Sequence, residues 1–162
     1  NLSKFKDVHG MANSRARLRM TTLYQAAAAN KGIVVGTGNK VEDFGVGFYT
    51  KYGDGGVDLS PIADLLKTQV YGVAKHLNII KSIQAAPPTD GLWSDNRTDQ
   101  QQIGVDYDEL EWAMNELEKN PSMKGLTPEQ IKTIQIYLNF NRQNQHKMNP
   151  IPVCEIPIEF LA

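Results

Sequence analysis

The sequence predicts a single α/β domain built on a parallel sheet, with more helix toward its C-terminus. The segment "NSRARLRMTTLYQAAAANKG" has apolar side chains at helical spacing, and the glycine-bounded, β-branched run "GIVVGT" follows it directly. That run shows no alternation of apolar and polar residues, which is typical of a strand covered on both faces. A chain of 162 residues suffices for one core. We therefore expect residues 1–162 to form one domain.

The first half of the chain should contain two helices separated by a long loop. Asn13 or Ser14 is expected to cap the first helix, and residues 30–32 to end it. Residues 36–60 are rich in glycine and polar side chains, which predicts a functional loop. Ser60 followed by Pro61 predicts a helix start, with "ADLLKTQVYGVAKHL" continuing that helix.

The second half should contain two amphipathic helices and two irregular segments. The helices are predicted over "YDELEWAMNELEK" and over "TPEQIKTIQIYLNFNRQNQ", where Thr127, Pro128 and Gln130 form a capping-box pattern. Residues 84–104 are rich in Pro, Asp and Gln, which suggests a mobile lid. The proline-containing tail after residue 146 is expected to pack as an extended arm.

Composition narrows the possible partners and compartment. The net charge of −1 creates no strong field that would attract nucleic acid or an anionic membrane. No apolar run approaches the roughly 20 residues that span a bilayer. The single cysteine, Cys154, cannot form an internal disulfide, which fits a reducing cytosol. We therefore expect a cytoplasmic protein without a nucleic-acid or membrane partner.

The end of the predicted strand is the first candidate site. Ligands bind beyond the carboxyl ends of strands in open α/β sheets, and Thr37 occupies that position, with Glu42 five residues later. A threonine hydroxyl can contact a nucleotide, and a carboxylate can hold Mg²⁺ beside phosphates. An ordinary glycine-permitted turn explains "GTGN" equally well at this point.

Two further segments carry charge. In "TKYGDGGVD", Lys51 can neutralise a phosphate, the glycines permit a close backbone approach, and Asp58 can accept hydrogen bonds from a ribose or an amide. In "RARLR", three arginines oppose the helix dipole near the predicted N-terminus, which suggests an anionic partner. A solvated turn and solvated arginines remain the alternatives for these segments.

Read in order, the motifs resemble the NAD synthetase family, and more its ammonia-dependent than its glutamine-dependent branch. They are "RARLRM", "VVGTGNKVED", "GFYTKYGDGGVDLSPIADLLKTQV", "APPTDGLW", "DEL" after a Gly-Val-x-Tyr segment, and "QHK". The resemblance implies a Rossmann-like, adenine nucleotide alpha hydrolase-type parallel sheet with helices on both faces. It also implies the formation of NAD from deamido-NAD, ATP and ammonia through an acyl-adenylate, with Mg²⁺ as the metal ion.

The resemblance also implies roles for individual residues. It assigns ATP contacts to Thr37, Lys67 and Thr89, and the Mg²⁺ carboxylate to Glu42. It assigns deamido-NAD contacts to Arg17, Lys51, Asp58, His146 and Lys147.

The resemblance is incomplete at one place. The family's pyrophosphate loop, "SGGxDS", is absent, so we expect this chain to be the C-terminal portion of a synthetase that is not competent by itself. A non-catalytic nucleotide-binding or dimerisation module, and a related amide-forming ligase of the same fold, are the alternatives. A homodimer is implied, and five large apolar residues are expected to be exposed for it: Met20, Leu23, Tyr24, Leu138 and Phe140.

Overall fold

Helices dominate the computed structural model, which describes residues 2–160 and, within them, the side chains from residue 4 onward. The helices are α1 (Val8–Ala29), α2 (Lys67–His76), α3 (Lys81–Gln84), α4 (Asp99–Ile103), α5 (Tyr107–Lys119) and α6 (Pro128–Met148). A π-helical turn covers Val41–Val46, and short 3-10 turns cover Leu2–Phe5 and Ile158–Phe160. None of the helices within residues 2–160 is long and apolar enough to cross a membrane.

The two predicted C-terminal helices are confirmed, together with the cap of the second one. Asp106 caps α5 by accepting from the Glu109 N–H at 2.9 Å. Thr127 caps α6 by accepting from the Gln130 N–H at 3.2 Å, and Pro128 occupies the first helical position. Both starts are set by side chains three residues apart, so the local sequence is enough to place them.

The main core lies where α5, α6 and the π-helical turn pack together. Its buried members are Val41, Val46, Ile103, Val105, Leu110, Ala113, Ile134 and Tyr137. Leu138 and Phe140 pack against this core, so the expectation that they are exposed for a dimer is wrong. A second, smaller core joins Ala12 and Ala16 of α1 to Leu92.

Helix α1 begins earlier than predicted. Its cap is Asp7, whose Oδ1 accepts from the His9 N–H at 3.1 Å, so Asn13 and Ser14 lie inside the helix. The predicted end is correct, since Asn30 is the C-cap. Lys31, the residue after this C-cap, adopts the left-handed conformation, with φ of 53°.

The predicted helix start at Ser60 and Pro61 is wrong. Residues 61–65 form turns, and α2 begins only at Lys67. The cause is a partner distant in sequence, because Glu111 of α5 accepts hydrogen bonds from both the N–H and the hydroxyl of Thr68. That carboxylate caps the helix six residues after the site that the sequence suggested.

The predicted strand is extended but has little pairing. Val35 and Leu59 form a parallel bridge, and the Gly36 N–H donates to the Leu59 carbonyl at 2.7 Å. This bridge is the only β pairing within residues 2–160. Val34 is buried, whereas Ile33 and Val35 are 61% and 53% exposed. The expectation that both faces are covered is therefore wrong for the described residues, and the sheet itself stays a prediction.

Two other segments differ from expectation. Residues 84–104 include α4, which Thr98 caps by accepting from the Gln101 N–H at 3.3 Å. The tail does not pack as an arm within the described residues, because Ile151, Val153 and Ile156 are all exposed. The three prolines of this tail lack a backbone N–H, which removes donors that could hold it against the rest of the protein.

Candidate functional site

A cavity of about 710 Å³ brings together four of the predicted site residues. Thr37, Glu42, Lys67 and Thr89 all line it, although they lie on four separate segments of the chain. Helix α1 contributes Met20 and Leu23 to its wall, while the loop after Thr50 and residues 86–90 contribute much of the rest. A volume of this size matches small-molecule sites, which are concave and carry few, placed polar groups.

Glu42 and Lys67 form an ion pair in this cavity. The Lys67 Nζ donates to the Glu42 Oε1 at 2.8 Å, and their side chains are 21% and 15% exposed. Lys67 also lies 4.8 Å from the centroid of the Tyr107 ring. Burial of such a pair costs desolvation energy. A partly buried ion pair at a cavity wall is therefore more typical of a functional site than of an interaction that stabilises the fold.

Tyr107 and Asp99 complete the polar group around Glu42, and the sequence did not reveal either role. The Tyr107 hydroxyl lies 2.5 Å from the Glu42 Oε1 and 2.8 Å from the Asp99 Oδ2. Burial, followed by the Glu42 charge, raises the Tyr107 pKa, so the hydroxyl keeps its proton. Burial also raises the Asp99 pKa, and its Oδ1 is buried without a hydrogen-bond partner among the described residues.

Asp43 adds a second carboxylate beside Glu42. It packs so closely against Gly38 that a Cβ there would lie 2.1 Å from the Asp43 Oδ2, which explains the glycine in "GTGN". Burial, then the charges of Glu42 and Asp54, raises the Asp43 pKa to about 6. The π-helical turn therefore carries two neighbouring carboxyl groups, of which Glu42 lines the cavity and Asp43 does not.

The two predicted threonines differ in their surroundings. Thr37 is exposed at the cavity wall, directly after the extended residues 33–35. The Thr89 hydroxyl donates to the Arg97 carbonyl at 3.0 Å and accepts from the Gly91 N–H at 3.3 Å. Thr89 thus holds the turn of residues 89–97 in place, while its side chain faces the same cavity.

Lys147 lies in a second cavity, of about 470 Å³. Its Nζ donates to the carbonyls of Gly47 and Tyr49 at 2.8 and 2.7 Å. Burial lowers the Lys147 pKa, and the nearby Asp54 carboxylate partly offsets that effect. His9, Trp93 and Phe140 also line this cavity, so an aromatic wall faces the lysine.

Arg17, Lys51 and His146 lie in one chain of hydrogen bonds at the surface. The Arg17 Nε donates to the Lys51 carbonyl at 3.2 Å, and the Lys51 Nζ donates to the His146 carbonyl. The His146 ring is exposed, with its Nδ1 3.1 Å from the Gln143 carbonyl. Helix α1, the glycine-rich loop and the end of α6 therefore bring these three predicted site residues to one surface.

Asp58 makes no hydrogen bond to Arg17, Lys51 or His146 within residues 4–160. Its Oδ2 accepts from the Val34 N–H at 2.8 Å and its Oδ1 from the Tyr24 hydroxyl at 3.0 Å. The Asp58 N–H also donates to the Val34 carbonyl at 2.9 Å. Asp58 thus joins the end of the loop to the extended segment.

The glycines of "TKYGDGGVD" are explained by packing within the protein. A Cβ on Gly53 would lie 2.8 Å from the Ala16 Cβ of α1, and one on Gly55 would lie 2.4 Å from the Tyr49 ring. Asp54 stabilises the turn, because its Oδ1 accepts from the Thr50 N–H at 2.9 Å. The loop therefore lies tightly on α1, which is how it reaches the first cavity.

The donor set at the first cavity fits a magnesium ion. Mg²⁺ prefers oxygen ligands and is usually held by one or two carboxylates together with substrate phosphates. Glu42 has one oxygen, Oε1, engaged by Lys67 and Tyr107, and no donor from the described residues reaches its Oε2. The described residues contain no group of three or more His, Cys, Asp or Glu that could hold a metal alone, so such an ion would need the nucleotide as co-ligand.

Comparisons with known proteins agree with one another. The family model described as NAD synthase matches residues 3–151. The NH(3)-dependent NAD(+) synthetase of Syntrophomonas wolfei is 42% identical over 147 residues, which is 91% of this chain and 54% of that protein. The enzyme of the same name from Mesoplasma florum is 45% identical over 101 residues, or 62% of this chain and 41% of that protein.

Two solved structures have a similar fold. The NMN synthetase from Francisella tularensis has a TM-score of 0.79 and 29% identity, covering 96% of this chain and 61% of that chain. The NH3-dependent NAD synthetase from Campylobacter jejuni, in complex with the nitrate ion, has a TM-score of 0.66 and 28% identity, covering 88% and 54%. The chain thus spans about half the length of the curated relatives that it matches.

Proposed function

The chain belongs to the NAD synthase family, and from this premise we propose that the whole protein converts deamido-NAD to NAD with ATP and ammonia. The nicotinate carboxylate attacks the α-phosphorus of ATP, the bond to the β-phosphate oxygen breaks, and pyrophosphate leaves. Ammonia then attacks the carbonyl of the acyl-adenylate, the bond to the AMP oxygen breaks, and AMP leaves with the electron pair. The attacking nitrogen, which is positively charged after it bonds to the carbonyl carbon, loses one proton to solvent and becomes the amide nitrogen of NAD.

The observation that supports this function most is the Glu42–Lys67 pair in a cavity that Thr37 and Thr89 also line. Adenylation needs little acid or base from the protein, but it does need anchored phosphates and compensation of their charge. Lys67 would contact an ATP phosphate as a point charge. Glu42 would hold Mg²⁺, which supplies further positive charge to the phosphates when bound.

On the dinucleotide side, Arg17, Lys51, His146 and Lys147 would contact deamido-NAD. Hydrogen bonds join Arg17 to the Lys51 backbone and Lys51 to the His146 backbone, so these residues lie at one surface, which supports a shared anionic ligand. We assign Asp58 to the same ligand, because the Tyr24 hydroxyl on its Oδ1 is replaceable by a ribose hydroxyl.

The wider architecture is part of the proposal. The parallel bridge between Val35 and Leu59 and the exposed side chains beside it support a Rossmann-like parallel sheet, with helices on both faces, in the whole protein. We propose a homodimer that buries Leu23, which is 56% exposed on α1. The cytoplasm is the proposed compartment, on the basis of the single cysteine.

The test is a product assay on the full-length natural protein with Mg²⁺, ATP and ammonium. We expect NAD and AMP to form from deamido-NAD. Replacement of ammonium by glutamine should abolish the reaction if free ammonia is the donor. Nicotinate mononucleotide, the acid that corresponds to NMN, serves as the competing substrate. Amidation of that acid alone would transfer the proposal to NMN synthesis, and no amidation of either acid would favour a non-catalytic nucleotide-binding module.

A further inference from the structure

Two polar side chains of α5, Tyr107 and Glu111, lie close to the Glu42–Lys67 pair. One contacts Glu42 itself, and the other contacts the first turn of α2, which carries Lys67. Tyr107 and Glu111 are four residues apart, so they lie on the same side of the helix. Tyr107 contacts Glu42 in the π-helical turn, and Glu111 contacts Thr68, the residue after Lys67. Helix α5 thus contacts both Glu42 and the start of the helix that carries Lys67.

Tyr107 fixes the direction of the Glu42 carboxylate. Its hydroxyl lies 2.5 Å from the Glu42 Oε1, and the Lys67 Nζ lies 2.8 Å from the same oxygen. Two donors on Oε1 hold the carboxylate in one orientation and leave Oε2 free of donors from the described residues. Asp99, which is 6% exposed, lies 2.8 Å from the same hydroxyl and restricts its rotation.

Glu111 fixes the start of α2. It is 5% exposed, and its two oxygens accept from the Thr68 N–H at 2.9 Å and from the Thr68 hydroxyl at 2.6 Å. A buried carboxylate is costly unless it is hydrogen-bonded, and a helix N-terminus favours negative charge. Leu66 stands at the N-cap position and has no side-chain acceptor, so the cap comes from another helix.

We propose that Tyr107 and Glu111 are positioning residues for the Glu42–Lys67 pair, Tyr107 acting through the Glu42 carboxylate and Glu111 through the first turn of α2. This inference rests on the proposed function, because it assigns the pair to a metal–nucleotide complex. Neither side chain lines the first cavity, so both act through the residues that do. Preorganisation of this kind matters because small displacements of charged groups weaken the binding of a charged ligand.

Tyr107→Phe in the full-length natural protein tests the first half. The change removes one hydroxyl and keeps the ring that packs beside Lys67. The measurement is Mn²⁺ binding by electron paramagnetic resonance with a saturating non-hydrolysable ATP analogue. We expect the Mn²⁺ dissociation constant to rise about 10-fold, as for loss of an outer-shell partner. The affinity for the analogue without metal should stay within twofold of the parent.

Tyr71→Phe is the matched control, because Tyr71 lies on α2 and is 38% exposed. It should leave both constants unchanged. If Tyr107→Phe and Tyr71→Phe bind Mn²⁺ with the parent's affinity, the role of Tyr107 is refuted. The same refutation follows if Tyr107→Phe weakens the metal-free analogue as much as the metal complex, since the effect would then be a general loosening.

Glu111→Gln tests the second half, with Glu118→Gln as its control, because Glu118 is an exposed residue near the C-terminal end of α5. Glutamine keeps one acceptor oxygen and loses the charge. We expect the analogue to bind about 5-fold more weakly with or without metal, because Lys67 is displaced. The decisive comparison repeats the change in a Lys67→Met background, where the effect should disappear if Glu111 acts through Lys67. An equal loss in both backgrounds would contradict that role.

Binding of the ATP analogue by the parent protein distinguishes a failure of the proposed function from a failure of the positioning role. If the parent binds no ATP analogue, the proposed function fails and this inference fails with it. If the parent binds the analogue and Mn²⁺ while Tyr107→Phe and Glu111→Gln match their controls, the inference fails and the proposed function stands.

Discussion

The two groups of predicted site residues are held in different ways. On the ATP side, Glu42 and Lys67 bind each other and Tyr107, so side chains orient side chains inside one cavity. On the dinucleotide side, Arg17, Lys51 and Lys147 donate to backbone carbonyls of other segments. Under the proposed function, the first arrangement would offer a charged pair to a metal–phosphate complex. In the second, charged side chains tie loops together, and a ligand would have to replace their contacts with backbone carbonyls.

This difference has an electrostatic consequence. Removal of one member from a partly buried ion pair leaves the other charge uncompensated, which is costly. Lys51 is half-buried, and loss of its contact with the His146 carbonyl should cost less, because water can replace that contact. Substitutions on the ATP side should therefore reduce the rate of reaction more than those on the dinucleotide side.

The largest effect is expected for Glu42→Gln. The variant keeps size and shape but loses the charge that would hold Mg²⁺, so adenylate formation should fall about 100-fold or more. The protein should still fold, although loss of the charge opposite Lys67 should lower its thermal stability. Pyrophosphate release, measured in the full-length protein, checks this, with Glu118→Gln as the matched control. A rate of pyrophosphate release equal to that of the parent would remove Glu42 from the metal site.

The next effect is expected for Lys51→Met on the dinucleotide side. Loss of its charge should raise the KM for deamido-NAD about 10-fold, roughly 1.4 kcal/mol, while the KM for ATP stays within twofold. Steady-state kinetics with each substrate varied in turn measures the two constants. Lys75→Met, on the exposed face of α2, is the control. Equal increases in both constants would mean that Lys51 only supports the loop.

A pH effect on stability should arise from Asp43 beside Glu42. Its pKa is about 6 in the folded state and lies near 3.8 when the chain unfolds. Between these values the folded state binds the extra proton, so stability should fall as pH rises from about 4 to 6 and then level. Asp43→Asn should remove this fall and stabilise the protein by about 1–2 kcal/mol at pH 7.

Urea unfolding of the metal-free protein at a series of pH values measures that effect. The parent and Asp43→Asn should differ in stability at neutral pH and converge near pH 4. A difference that stays constant across this range would show that the carboxyl is not perturbed by burial and by Glu42.

The smallest effect on activity is expected for Asp7→Ala, which serves as a reference for the substitutions at both groups of site residues. Asp7 caps α1 and lines neither cavity, so Asp7→Ala should lower stability by about 1 kcal/mol. The KM values for ATP and for deamido-NAD should both stay unchanged. Chemical denaturation and kinetics on the same preparation check this. A change in only one of the two KM values would mean that the α1 cap influences the binding of that substrate as well as stability.

The parts of the fold that the sequence predicted are those fixed by neighbouring residues. The starts of α5 and α6 depend on caps three residues away, and the end of α1 on Asn30. The start of α2 was misplaced because its cap, Glu111, lies 43 residues from Thr68. The sheet was inferred from "GIVVGT", but a strand is defined by partners, and these residues form a single bridge.

In the candidate site, too, the sequence did not reveal roles that depend on contacts between distant residues. The resemblance assigned Thr37, Lys67 and Thr89 to ATP and Glu42 to Mg²⁺, and all four line one cavity. Tyr107 belongs to the Gly-Val-x-Tyr segment of the resemblance but received no role, because its contact with Glu42 spans 65 residues. Glu111 was hidden for a related reason, since an acidic residue inside an amphipathic helix is ordinarily solvated.

Exchange of radiolabelled pyrophosphate into ATP tests most directly whether the first cavity serves adenylation. The full-length natural protein is incubated with ATP, Mg²⁺ and labelled pyrophosphate, without ammonium. The account predicts exchange that requires deamido-NAD and is lost in Glu42→Gln. Exchange without deamido-NAD, exchange that needs ammonium, or undiminished exchange in Glu42→Gln would contradict it.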